Sequence, residues 1–221
     1  MRLMTVVAAA SAVFFMAAPG AAQDWTEFAS QEDRFTCNFP GEPTVTESTW
    51  VSEMGAEVPA RVYAAERGPS RFSVTVADYS HVQRILTERA GDCPPGAERC
   101  SGGGSTGEGY WRHDVLGALI YATWTFLQRD GEVTHLGYNS LDRVEGHQLH
   151  LTNPDQSRTF VSIYMHEDKL YVAEGTVPRG YPEPALFQQS LGWLDEDGNG
   201  LRYQGPYSNG FPAPPRVPAV F

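Results

Sequence analysis

The stretch Arg34-Phe35-Thr36-Cys37-Asn38-Phe39-Pro40-Gly41-Glu42-Pro43 decides how this chain is read. Phe35, Cys37 and Phe39 fall on alternate positions, the period of a strand with one buried face, and Pro40-Gly41 then turns the chain. The same pattern repeats downstream. Residues 44–50 are rich in β-formers, and Met54-Gly55-Ala56-Glu57 reads as a turn. Val58, Ala60, Val62 and Ala64 make one face of a strand, Arg67-Gly68-Pro69-Ser70 turns again, and Phe72, Val74 and Val76 point inward on a fourth strand. Short strands joined by short turns form an antiparallel meander, because a parallel neighbour needs a crossover of a dozen or more residues.

Working outward, a second meander is expected over residues 133–141, 146–151, 158–165 and 170–177, with turns at Asn153-Pro154-Asp155 and Glu167-Asp168. Residues 82–90 between the meanders read as a short helix, and residues 91–110 as a Gly-rich loop insertion. Residues 115–127 fit two patterns. Leu116, Leu119, Ile120, Thr123 and Leu127 make a helical stripe with Asp114 as its cap, while Ile120, Ala122, Trp124 and Phe126 alternate as a strand would. The length of the apolar run favours helix. Residues 184–194 read as a terminal helix with Leu186, Phe187, Ser190, Leu191 and Leu194 on one side, and residues 206–221 form a Pro-rich, extended tail.

Residues 1–22 have the three parts of a secretory signal peptide. Arg2 opens it, an apolar run follows through Val6, Val7, Val13, Phe14, Phe15 and Met16, and Gly20-Ala21-Ala22 supplies a small-residue exit before Gln23. The run is shorter than the roughly 20 residues that span a bilayer, and Pro19-Gly20 interrupts it. No Cys follows the small residues, so a lipoprotein anchor is not expected. The expected location is periplasmic or secreted, and the expected organisation is one domain over residues 23–205.

The whole chain carries a net charge of −11, and loss of Arg2 with the signal makes it one unit more negative. Such a chain repels phosphate backbones and anionic lipid, which argues against nucleic-acid and membrane-surface binding. Lys169 is the only lysine; the prevalence of Arg is put down to a GC-rich bacterial genome. Hydrophobic content of 41% with 11 Phe, 10 Tyr and 5 Trp suffices for a folded core.

Export also sets the redox conditions. Cys93 and Cys100 flank a turn-rich loop and are expected to pair as a local disulfide, while Cys37 alternates with Phe35 and Phe39 and reads as a small core residue.

The pattern Arg34-Phe35-x-x-x-Phe39-Pro40-Gly41-x-Pro43, together with Leu170-Tyr171-Val172 and Phe187-Gln188-Gln189-Ser190-Leu191, resembles uncharacterised exported bacterial proteins with a PsbP-like fold. The resemblance implies an α+β class, an antiparallel sheet from two meanders flanked by helices as an α/β/α sandwich. It implies no activity, since one fold hosts many functions.

Candidate sites are few. Asp195, Asp197 and Asn199 stand on alternate positions before Gly200, like the first half of an EF-hand loop, but Pro206 falls where the closing Glu belongs. They make a weak Ca2+ candidate, and no other cofactor is expected. His147 and His150 are three apart on a strand and so face opposite ways, which spoils joint ligation. The glycines of residues 101–109 lack the Lys-Ser/Thr ending of a phosphate loop, and Ser140 and Ser190 lack a nucleophile elbow. Tyr110 and Trp111, at the end of the loop, could form a ligand-binding rim. These features point to a non-enzymatic binding or assembly module of the bacterial envelope, its partner an envelope protein or a small ligand. The alternatives are a hydrolase assembled in space near the loop of residues 91–110, and a calcium-dependent stability or adhesion module.

Overall fold

The computed structural model describes residues 25–91 and 110–219. The chain is an α+β protein built on two antiparallel sheets. In order it runs β1 (Thr26–Ser30), β2 (Phe35–Phe39), β3 (Thr44–Val51), β4 (Glu57–Arg67), β5 (Ser70–Asp78), α1 (Val82–Gly91) and α2 (Tyr110–Leu127). There follow β6 (Glu132–Leu141), β7 (Val144–Thr152), β8 (Arg158–His166), β9 (Lys169–Val177), α3 (Ala185–Gln188), β10 (Gly192–Leu194), β11 (Gly200–Tyr203) and β12 (Arg216–Pro218). The two meanders merge into one seven-stranded sheet of order β3-β4-β5-β9-β8-β7-β6, joined where β5 pairs β9. The remaining strands make a smaller sheet of order β1-β2-β10-β11-β12.

The large sheet is covered on both faces, and each face has its own core. One holds Phe35, Cys37, Phe39, Tyr63, Phe72, Tyr164, Tyr171, Phe187 and Trp193 between the two sheets. The other holds mostly aliphatic residues, including Val58, Leu149, Val161 and Ile163, against Val115, Ala118, Ala122 and Phe126 of α2. Helices therefore cover one face, while the small sheet and the one-turn α3 cover the other. The alternation of Phe35, Cys37 and Phe39 buries all three completely, and Gly41 turns the chain after them at φ 97°.

Residues 115–127 are helical, and the helix begins earlier than the sequence suggests. Asp114 is therefore not a cap. It lies inside α2, fully buried, where one carboxylate oxygen accepts the Ser52 hydroxyl at 2.5 Å and the other the Met54 N–H at 3.2 Å. Burial raises its pKa, opposed by those bonds.

The expected terminal helix over residues 184–194 is corrected to a single turn, Ala185–Gln188, followed by β10. Tertiary contacts end it. The Ser190 hydroxyl accepts the Asn38 N–H at 2.8 Å, and a Cβ on Gly192 would stand 2.7 Å from the Thr36 hydroxyl oxygen. The chain thus lies flush on β2, pairing Gly192 with Thr36 and Trp193 with Phe35. The Pro-rich tail, expected to be extended and partly mobile, is pinned over its described residues: β12 pairs β11, and Tyr207 bridges to Val144.

Candidate functional site

Helix α2 is apolar on both sides. Its buried side supplies Val115, Ala118, Ala122 and Phe126, while Leu116, Ile120, Trp124 and Leu127 recur at helical spacing on the other side and remain exposed. No charged residue occurs in residues 115–127. Ordinarily a helix apolar all round is buried all round.

The geometry beside this stripe makes a corner. The Thr123 hydroxyl lies 2.7 Å from His147 Nδ1 on β7, which fixes that flank of α2 over β7. At 100° per residue the stripe of Leu116, Ile120 and Leu127 leans to the same flank as Thr123. His147 pairs with Tyr138 on β6, and Leu149 with Leu136, so Tyr138 and Leu136 share the helix-side face of the sheet. Residues 128–131 join α2 to β6, and His147 links the two, bonded to Thr123 of the helix and paired with Tyr138 of the strand. Ile120 (66%), Trp124 (50%), Leu136 (51%) and Tyr138 (68%) are all at least half exposed. Gly210 reaches the far end of the stripe, where a Cβ would stand 3.4 Å from Leu116, and Phe211 beside it is exposed. β6 is also the last strand of its sheet, so among the described residues its outer backbone groups have no strand to pair with. The corner combines an apolar helix flank, an apolar strand face and an open strand edge. Chemically it can bind a low-charge surface.

The sheet end at the β8–β9 turn is of the opposite kind. His166 is fully buried against Trp193, Tyr203 and Tyr207, with ring centroids at 4.7, 5.6 and 5.2 Å. Its Nε2 lies 2.7 Å from the Tyr203 hydroxyl. Burial pushes its pKa down to about 3, helped by the positive charges of Arg216 and Arg34, so the ring is neutral. Glu167 pairs with Arg34 at 2.8 Å and with Arg216. Close by, the buried Asp33 pairs with Arg61 at 3.0 Å and Lys169 at 3.1 Å, and accepts the Tyr63 hydroxyl at 2.7 Å. This end is a closed ionic and aromatic lock.

The residues singled out from sequence lie elsewhere. Asp195, Asp197 and Asn199 form the β10–β11 turn, where one Asp195 oxygen accepts the N–H groups of Asp197 (3.0 Å) and Asn199 (2.8 Å). Those bonds, chiefly from Asn199, lower its pKa. Among the described residues no group of three His, Cys, Asp or Glu is placed to hold a metal ion. Cys93 and Cys100 lie outside the described residues, as do residues 1–22 and nearly all of the loop of residues 91–110. Tyr110 opens α2, and Trp111 packs partly buried against the helix-side core. Cys37 is free and buried, its thiol pushed up to about 12 by burial. His150 meets His135 on β6, ring centroids 4.8 Å apart, and faces away from His147. The corner of α2 and β6 was missed by motif reading. Its signal was the charge-free run of residues 115–127, apolar around the whole helical circumference.

No protein-family profile matches the chain, and no curated protein matches it. Among solved structures it is similar to the solution structure of cyanobacterial PsbP (CyanoP) from Synechocystis sp. PCC 6803. That match has a TM-score of 0.42 and 10% identity over 80% of this chain and 96% of that one. Among the described residues no helix is long and apolar enough to cross a membrane.

Proposed function

We propose that this protein is a non-enzymatic assembly module of the bacterial envelope, exported by residues 1–22 and docking a protein partner at the corner of α2 and β6. The observation that carries the reading is the exposed, charge-free stripe of Leu116, Ile120, Trp124 and Leu127 beside Leu136 and Tyr138. Contiguous apolar patches of this size on a folded domain mark interaction sites, and depletion of charge is the compositional sign of an interface centre. A partner of matching chemistry presents an apolar, low-charge surface. The export half of the proposal rests on the three-part signal sequence alone.

The test is photo-crosslinking in the native envelope, with a photoreactive residue at position 120 or 138 and, as control, at the exposed Thr46 on β3. The expected result is a discrete crosslinked species from positions 120 and 138 and none from 46. Crosslinking no stronger than the control would overturn the docking role.

A further inference from the structure

The seven-stranded sheet ends in two strands of different character. β3 carries Glu47 near its middle, 79% exposed by side chain and held by Arg61 Nε at 3.2 Å. Antiparallel pairing of two β3 edges about that middle would set like charges side by side, which is how edges are protected from unwanted pairing. β6 has Glu132 at its extreme end and no charged residue from Val133 to Leu141. Its one irregularity, a register shift between Val133 and His135, leaves residues 135–141 in regular register.

We infer that the occupant of the α2–β6 corner is a second copy of this chain, paired antiparallel through the two β6 edges. The inference rests on the docking role proposed above. A twofold axis normal to the sheet reverses strand direction and keeps the faces, so two large sheets become one and both α2 helices stand on the same side. The Leu136 and Tyr138 side chains of both strands then floor a trough walled by two stripes of Leu116, Ile120 and Leu127. The strand edges supply main-chain hydrogen bonds, and the apolar walls supply the buried area.

Area and charge both fit this occupant. Leu116, Ile120, Leu127, Val133, Leu136 and Tyr138 together present on the order of 600 Å2, most of the roughly 800 Å2 each partner contributes to a stable interface. A chain of net charge −11 meets the least repulsion from its own copy at a surface free of acid. The corner is such a surface, and its neutrality gives no basis for selecting an oppositely charged partner.

Sedimentation velocity of the purified protein over about 1–100 µM, wild type against Ile120→Lys and Tyr138→Glu, tests this. The wild type is expected to be a dimer and each variant to dissociate at least about 100-fold more readily, with far-UV circular dichroism unchanged because both positions are exposed in the single chain, and with a melting temperature that no longer rises with protein concentration as the wild type's does. Dimers that persist in both variants overturn the proposal. A monomeric wild type overturns it too. If crosslinks from positions 120 and 138 then reach a different protein, the docking role survives; if they reach none, both fall. Monomers that float with phosphatidylcholine vesicles only when Ile120 and Tyr138 are intact would assign the corner to a membrane surface and overturn both.

Discussion

The β8–β9 end of the large sheet and the α2–β6 corner handle their side chains in opposite ways. At the first, Glu167 and Asp33 are taken out of water and met by Arg34, Arg216, Arg61 and Lys169, while His166 is walled in by Trp193, Tyr203 and Tyr207. At the second, large apolar side chains face outward and residues 115–127 contribute no charge. The charges of the first are paired within one chain, since burying a charge is tolerable only when a partner offsets its desolvation. The second gains nothing within the chain, because exposed apolar area contributes to stability only once something covers it.

The sharpest way to break this contrast is to truncate one tryptophan in each region. Trp193→Ala removes a fully buried ring that packs on Tyr164, Tyr171 and His166 and donates to the Leu141 carbonyl at 3.1 Å. Urea unfolding should show a loss of about 3–5 kcal/mol. Trp124→Ala, half exposed on α2, should stay within about 0.5 kcal/mol for the monomer. Equal losses would erase the distinction.

A smaller effect is expected from Asp33→Ala, which removes the buried carboxylate shared by Lys169, Arg61 and the Tyr63 hydroxyl and leaves them their outer partners Asp78, Glu47 and Ser30. Because Arg61 and Lys169 keep some access to water, the same titration should lose about 2–4 kcal/mol. A loss below about 1 kcal/mol would mean the lock is ornamental to stability.

Next comes pH. The folded pKa of His166 is about 3, against an ordinary value of 6.5. Between those values the unfolded chain binds a proton that the folded chain excludes. Its contribution is therefore complete above pH ~6.5 and declines as pH falls toward ~3, by up to ~1.4 kcal/mol per unit. Unfolding free energies of wild type and His166→Gln across that window should diverge with this slope; parallel curves would show that His166 carries none of it.

The smallest effect concerns the β10–β11 turn. Asp195 already accepts two backbone N–H groups there, so ~1 mM calcium should move the melting temperature by less than about 1 °C. A larger rise, abolished in Asp195→Asn, would place a calcium site at this turn.

Much of the architecture was legible as alternation. Phe35/Cys37/Phe39, Phe72/Val74/Val76 and the four strands after residue 132 could be read one strand at a time, because side-chain period and turn chemistry are local. Residues 184–194 defeated the same method. Their helical stripe was real, but Ser190 and Gly192 meet Asn38 and Thr36, about 150 positions away, and strand pairing overrides helix propensity there. The join of the two meanders at β5 and β9 was equally out of reach, since alternation states which face is buried and not which strand lies alongside.

The candidate site followed the same division. By itself the sequence determined a folded, acidic chain of α+β class, and it displayed residues 115–127 as apolar with no charge. It could not say which of those residues meet water. Only the tertiary structure decided that, because a helix apolar on every side has no local preference for which side to bury. Packing on β7 and β8 chose Val115, Ala118, Ala122 and Phe126, and left Leu116, Ile120, Trp124 and Leu127 exposed.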